Sequence, residues 1–215
     1  MVKGIIFDMD GTMIDNMMVH HRAWQKTLAG IGLELTLEEV KEKIHGINEE
    51  ILKRIFGDRF TPEERRRISA EKEAAYRQIF LPELKLLPGL SGFLDELKSA
   101  DIPMAIGTAA PRENVNFVME NLDLRSYFTG VFDAQSVSRG KPDPEIFEIA
   151  AASMGLAPNE CLIFEDSVTG AEAAKRAGAR SIIVTTTHEV SEFKHFDNIQ
   201  QFIQDFMGLE LENIL

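Results

Sequence analysis

Apolar and polar positions follow two different rhythms along this chain. Near its start, Ile5-Ile6-Phe7 is an unbroken apolar run that ends in Asp8-Met9-Asp10-Gly11-Thr12. Such a run predicts a strand buried on both faces, which delivers its polar residues at its carboxyl end, where sheets of this kind bind ligands. From there to residue 81 the spacing is helical. Met17, Met18, Trp24 and Leu28 among polar neighbours predict an amphipathic helix over 16–29, closed by Gly30. Thr36 with Glu39 makes a capping box for a second helix, and Asn48 is placed to cap a third that ends near Gly57. Thr61-Pro62 with Glu64 opens a fourth, running toward Phe80. Pro82 breaks the pattern, and Pro88-Gly89 introduces a short helix through Leu97.

From Ile102 onward strands and helices alternate. Strands are predicted at 104–106, 130–132, 161–164 and 181–184, and helices at 111–121, 143–154 and 168–177. This alternation predicts an α/β fold with a doubly wound parallel sheet. The core would comprise residues 1–14 and 82–215, with a helical bundle, residues 15–81, inserted after the first strand as a second domain.

Composition narrows the function classes. The formal net charge of −12 argues against a nucleic-acid or membrane surface, since both need clustered Lys and Arg. Arg65-Arg66-Arg67 lies between Glu63-Glu64 and Glu71 and reads as a solvated helix face. The single Cys161 excludes an intramolecular disulfide, and no signal segment or long apolar span is evident, so a reducing, cytoplasmic setting is expected. An acidic chain that handles an anionic substrate needs local positive charge, most simply a metal ion and a lysine.

The candidate chemistry lies at the predicted strand ends. Two carboxylates as close as Asp8 and Asp10 repel unless a cation or a shared proton relieves them; the alternative is a turn with two solvated aspartates. Three more strings end strands in the same way. Gly107-Thr108-Ala109-Ala110 offers a hydroxyl and backbone N–H groups beside a helix start, a place suited to an anion or to simple capping. Gly140-Lys141-Pro142-Asp143-Pro144 fixes one lysine between prolines, as a phosphate-neutralising cation or a loop residue. Glu165-Asp166-Ser167 places two acids at a buried strand's end, oxygen ligands suited to Mg²⁺, although capping of the next helix would explain Asp166 or Ser167 taken alone. The predicted topology brings Asp8, Asp10, Thr108, Lys141, Glu165 and Asp166 to one sheet edge.

With these four motifs in this order, D-x-D-G-T, a strand-end Thr, G-K-P-D-P and E-D-S-x-x-G, the sequence resembles the haloacid dehalogenase superfamily, in its phosphatase and phosphomutase branch related to β-phosphoglucomutase. The resemblance spans essentially the whole chain, helical cap included. It implies that Asp8 attacks phosphorus to form an aspartyl-phosphate and that Asp10 protonates the leaving oxygen and then activates the next nucleophile. It implies Mg²⁺ at Asp8, the Asp10 carbonyl, Glu165 and Asp166, with Lys141 opposite and the Thr108 hydroxyl and Ala109 N–H on a phosphoryl oxygen. Substrate contacts are implied in the cap at His20, Gly46 and Lys72. The partner is then a small phosphorylated metabolite.

Cap residues bear on whether water or sugar receives the phosphoryl group. His20 and Lys72 match positions of the β-phosphoglucomutases and favour a mutase. Glu49, however, stands where those mutases carry an Arg that grips a second phosphate, and Ala110-Pro111-Arg112 replaces their Ser-Lys-Asn. The expected activity is a Mg²⁺-dependent phosphatase. A sugar-phosphate mutase is the alternative, and a non-catalytic phosphate-binding regulatory protein a more remote one. His21, His45, His188 and His195 have no partner at ligand spacing and read as surface or structural.

Overall fold

The computed structural model describes residues 2–44 and 46–214. His45 therefore lies outside the described residues. The chain divides into two compact units, one running through Asp15 and resuming at Lys85, the other Asn16–Leu84. Residues 82–84, assigned to the core by sequence, stay with the helical unit. The Glu83 amide donates to Phe80 O (2.8 Å), and its carboxylate pairs with Arg22 (2.7 Å).

The larger unit is built on a six-stranded parallel sheet, β1 Gly4–Phe7, β2 Met104–Gly107, β3 Gly130–Phe132, β4 Cys161–Glu165, β5 Arg180–Val184 and β6 Ile199–Ile203, in the order β3-β2-β1-β4-β5-β6. The order reverses at β1, so a crevice opens at the carboxyl ends of β1 and β4, where doubly wound sheets bind ligands. Side chains leave β1 alternately. Ile6 joins Ala105 and Ile163 in an apolar layer beneath Phe147 and Ala173, while Phe7 points the other way and stacks on Phe164 at 5.1 Å, with Phe93 edge-on at 6.4 Å. Burial on both faces is why the strand reads as continuous apolar sequence.

β6 is absent from the sequence reading. It is an edge strand whose Gln200 and Gln201 are exposed, and only a 3₁₀ turn, Val190–Phe193, separates it from β5. Its pattern therefore carries neither the apolar run nor the preceding helix that marks the other strands.

The smaller unit consists of α1 Met17–Gly30, α2 Leu37–Lys43, α3 Asn48–Phe56 and α4 Pro62–Phe80. Both capping boxes form: Thr36 accepts from the Glu39 amide and Thr61 from the Glu64 amide, each with the reciprocal bond. Asn48 does not cap. Ile47 holds the cap position, and Asn48, the first helical residue, donates from Nδ2 to Glu73 Oε1 (2.7 Å) on α4 instead. Trp24, Leu28, Val40, Ile51, Leu52 and Ile68 form this unit's own core. Among the described residues no helix is long and apolar enough to cross a membrane.

Helices α5 Leu90–Ser99, α6 Arg112–Asn121, α7 Glu145–Ser153 and α8 Val168–Arg176 complete the larger unit.

Candidate active site

Asp8 is the first residue past β1, and its amide donates to Phe164 O (2.9 Å), which ties the end of β1 to β4. The chain then turns sharply. Met9 O accepts from the amides of Thr12, Met13 and Ile14, and the Gly11 amide donates to Ile14 O (2.8 Å). Gly11 has φ +75°, and a Cβ there would stand 2.1 Å from Asp166 Oδ2, so both conformation and space demand glycine. Asp8 is buried within this loop and Asp10 is half-buried.

On β4, Glu165 is the last strand residue and is folded under α8. Its Oε2 accepts from the amides of Asp166 (2.8 Å) and Ser167 (2.7 Å) and from the Ser167 hydroxyl (2.9 Å). The geometry leaves room for no side chain at Gly170, where a Cβ would lie 1.7 Å from Glu165 Oε1. Ser167, whose Oγ accepts from the Gly170 amide, is the cap of α8. Asp166 is thereby left facing the crevice, and carboxylate oxygens of Asp8, Glu165 and Asp166 lie within 4.8 Å of one another.

Lys141 joins this cluster from the loop before α7, next to a cis peptide bond to Pro142. Its Nζ donates to Asp8 Oδ1 (2.5 Å) and Glu165 Oε1 (2.6 Å) and lies 4.7 Å from the centre of the Phe147 ring. Burial pushes the Asp8 carboxyl up, against the pull of Lys141, to about 7, with Glu165 and Asp10 adding to the rise. Asp166 rises well above the usual carboxylate range through burial and the charges of Glu165 and Asp8. Burial acts against the charged forms of Glu165 and Lys141 as well. The pull of Lys141 and the hydrogen bonds to it lower Glu165, and the charges of Asp8 and then Glu165, with their hydrogen bonds, raise Lys141.

Thr108 is buried at the end of β2. Its amide donates to Phe132 O (3.0 Å) and its Oγ1 accepts from the Ala110 amide (3.2 Å), while Ala109 between them is exposed. The structure therefore brings Asp8, Lys141, Glu165 and Asp166 into direct contact range, with Asp10 and Thr108 on adjoining loops of the same edge.

Residues 2–178 match the haloacid dehalogenase-like hydrolase family. The chain belongs to this family. The fructose-1-phosphate phosphatase YqaB of Escherichia coli strain K12 is 32% identical over 183 residues, covering 84% of this chain and 95% of its own. The β-phosphoglucomutase of Bacillus subtilis strain 168 is 32% identical over 185 residues, covering 82% and 80%. Among solved structures, the β-phosphoglucomutase of Clostridium difficile superposes with a TM-score of 0.82 at 27% identity, covering 100% of this chain and 96% of that one.

In the helical unit of this hydrolase, His20 and Lys72 meet: Nζ of Lys72 lies 2.8 Å from His20 Nδ1 and 2.8 Å from Glu73 Oε1. Lys72 is buried, with Trp24 and Tyr76 rings within 6 Å of Nζ, and His20 stacks on Tyr76 at 4.0 Å. Gly46 is exposed at φ +96°. Glu49 lines a surface hollow of about 460 Å³ with Glu50, Lys53, Arg54 and Arg65. Arg112, which could have offered a phosphate contact, is instead bonded through Nε to Asp133 (2.8 Å). His21 is buried on α1, His188 pairs with Glu192 (3.1 Å), and His195 packs on Phe196.

Two hydroxyls at this edge escaped the sequence reading. Thr186 Oγ1 donates to Gly11 O (2.5 Å), and Thr187 Oγ1 lies beside it, 3.5 Å from Thr186 Oγ1. The signal that could have found them is Thr185-Thr186-Thr187 directly after the apolar strand Ser181–Val184.

Proposed function

We propose that this hydrolase is a Mg²⁺-dependent phosphatase that cleaves the phosphate monoester of a small metabolite, a sugar phosphate foremost, by way of an aspartyl-phosphate on Asp8. The carrying observation is the charge balance of one cluster: three buried carboxylates around a single lysine. Buried charge of one sign is strongly disfavoured unless it is neutralised, and hard oxygen donors in this number suit Mg²⁺. Asp8, Asp166 and the Asp10 carbonyl would hold the ion. Glu165 would add its charge, with Oε2 already bound by three donors. When bound, Mg²⁺ would offset the charge of the phosphoryl oxygens and allow an anionic carboxylate to approach them.

Every other part falls to residues of the chain. An Asp8 oxygen forms the bond to phosphorus as the bond to the leaving oxygen breaks, and Asp10 supplies the proton that makes the leaving group a neutral alcohol. Lys141 neutralises the nucleophile's side of the site, and the Thr108 hydroxyl and Ala109 amide hold a phosphoryl oxygen near the start of α6. Asp10 then takes a proton from the water whose oxygen bonds to phosphorus as the Asp8–phosphorus bond breaks, releasing phosphate. A reducing cytoplasmic setting suits the free, buried Cys161.

The second reading, a sugar-phosphate mutase, is favoured by the buried His20–Lys72 contact. The two are separated by one experiment. A panel of sugar monophosphates, led by fructose 1-phosphate and glucose 1-phosphate, is incubated with the protein and Mg²⁺ while phosphate and isomer are followed together. Phosphate release without isomer supports the phosphatase, and isomer without phosphate the mutase.

A further inference from the structure

Asp8, Thr108, Asp133 and Asp166 are the first residues past β1, β2, β3 and β4. All but Asp133 belong to the site already described. Asp133 is nonetheless buried, on the strand beside β2. Its Oδ1 is fixed by its own turn, accepting from the Gln135 amide (2.9 Å) and the Ser136 hydroxyl (3.1 Å). Oδ2 reaches the neighbouring loop and accepts from Arg112 Nε (2.8 Å), with Arg112 Nη2 3.4 Å from Oδ1. Burial works against this charge, and the bonds from Arg112, the Gln135 amide and Ser136 outweigh it, so the carboxyl stays below its ordinary pKa.

The loop that Asp133 reaches is the one that carries Thr108 and Ala109. Consecutive residues at the exit of β3 hold it: Phe132 O accepts from the Thr108 amide (3.0 Å), the Asp133 carboxylate takes Arg112, and the Ala134 amide donates to Ala110 O (3.0 Å). Ala110 is held from both sides, since its amide donates to Thr108 Oγ1 (3.2 Å). A hydroxyl has one proton to give, and with the Ala110 amide on a lone pair that proton stays available to an acceptor. The ties from Phe132 and Ala134 are backbone bonds; the one from Asp133 depends on its side chain.

We propose that Asp133 is a positioning residue, which through Arg112 fixes the start of α6 and the Thr108–Arg112 loop in the geometry that holds a phosphoryl oxygen. Arg112 is the first residue of α6, and its side chain is 55% exposed. A pair this exposed on one side contributes little to stability. A planar guanidinium held along one edge by a fixed carboxylate does restrict orientation, and here it sets the helix start relative to the end of β3.

The inference rests on the reading of Thr108 and Ala109 as holders of a phosphoryl oxygen. Its test uses the full chain with Asp133→Asn, Arg112→Gln and both together. The measurements are kcat and KM on the sugar monophosphate that turns over fastest, competitive inhibition by inorganic phosphate, Mg²⁺ affinity without substrate, and thermal midpoint. Asparagine keeps the shape and the acceptor of the turn and removes the charge. Each single substitution is expected to weaken inhibition by phosphate and lower kcat/KM on the order of tenfold or more, because a small misplacement of binding groups is costly. The double variant should match the singles, as for residues that act through one contact. Mg²⁺ affinity and midpoint should stay close to the unsubstituted values, which a loss of fold would move. Unchanged phosphate inhibition in Asp133→Asn overturns the proposal, as does an equal fall in Mg²⁺ affinity and midpoint. Losses that add in the double variant also overturn it, since Arg112 would then act independently of Asp133. An unsubstituted protein that neither binds inorganic phosphate nor releases it from any sugar monophosphate would instead overturn the phosphate-site reading on which the proposal stands.

Discussion

Lys141 and Asp8, 133 residues apart in sequence, are joined by a 2.5 Å contact between Nζ and Oδ1. The contact exists because α7 packs on β1 and on its neighbour β2, so the loop before α7 reaches the same edge as the β1 turn. Lys141 is also the cation that makes burial of Glu165 tolerable.

Removing that cation should expose the cost of the cluster. In Lys141→Ala, unfolding in denaturant with chelator present is expected to show a loss of about 3 kcal/mol at pH 8, because breaking a buried pair leaves its charge uncompensated. The loss should be smaller near pH 5, where the carboxylates take up protons. Phosphatase activity should fall to background at both.

The raised Asp8 pKa predicts how metal-free stability depends on pH. Its folded value of about 7 lies above the ordinary 3.8, so between the two the folded state keeps a proton that the unfolded chain has released. Stability from this group is therefore full at the acid end and declines as pH rises toward 7. Asp166 acts in the same direction; Glu165, lowered, acts only below its ordinary value. Thermal midpoints in chelator should fall from about pH 5 to pH 7, and the gain from added Mg²⁺ should be larger at pH 8 than at pH 5. A midpoint that rises across this window would contradict the account.

Gly170→Ala should act through Glu165. The new Cβ meets Glu165 Oε1 at 1.7 Å, and the carboxylate must leave Lys141 or the helix must shift. A stability loss of about 1–3 kcal/mol is expected from overpacking, together with a fall in kcat that added Mg²⁺ does not restore. Denaturant unfolding and steady-state kinetics check the two parts.

Glu73 binds both Lys72 and Asn48, linking α4 to the start of α3. Glu73→Ala removes a carboxylate bonded to a buried ammonium and should destabilise the helical unit by about 2 kcal/mol. Amide hydrogen exchange in α3 and α4 should quicken, while exchange in β1 and β4 stays as it was.

Much of this molecule could be read from local pattern. Thr36 with Glu39 and Thr61 with Glu64 announce helix starts because a capping box is made within four residues. The run before Asp8 announces a buried strand for the same reason: the information is contiguous. Asn48 misled because its amide finds Glu73, 25 residues away, and a long-range partner leaves no mark in the local spacing. β6 was invisible as a half-exposed edge. Thr186 belongs to the same class as Asn48, since its partner, Gly11 O, is 175 residues away.

The central claim is that Asp8 carries the phosphoryl group. Its most direct measurement is a rapid acid quench of the protein during turnover of a sugar phosphate labelled in its phosphate, followed by peptide mapping. Label retained on the peptide that contains Asp8, and absent from Asp8→Asn, is the predicted result. Turnover of the labelled substrate with no label on the protein at any quench time would contradict it.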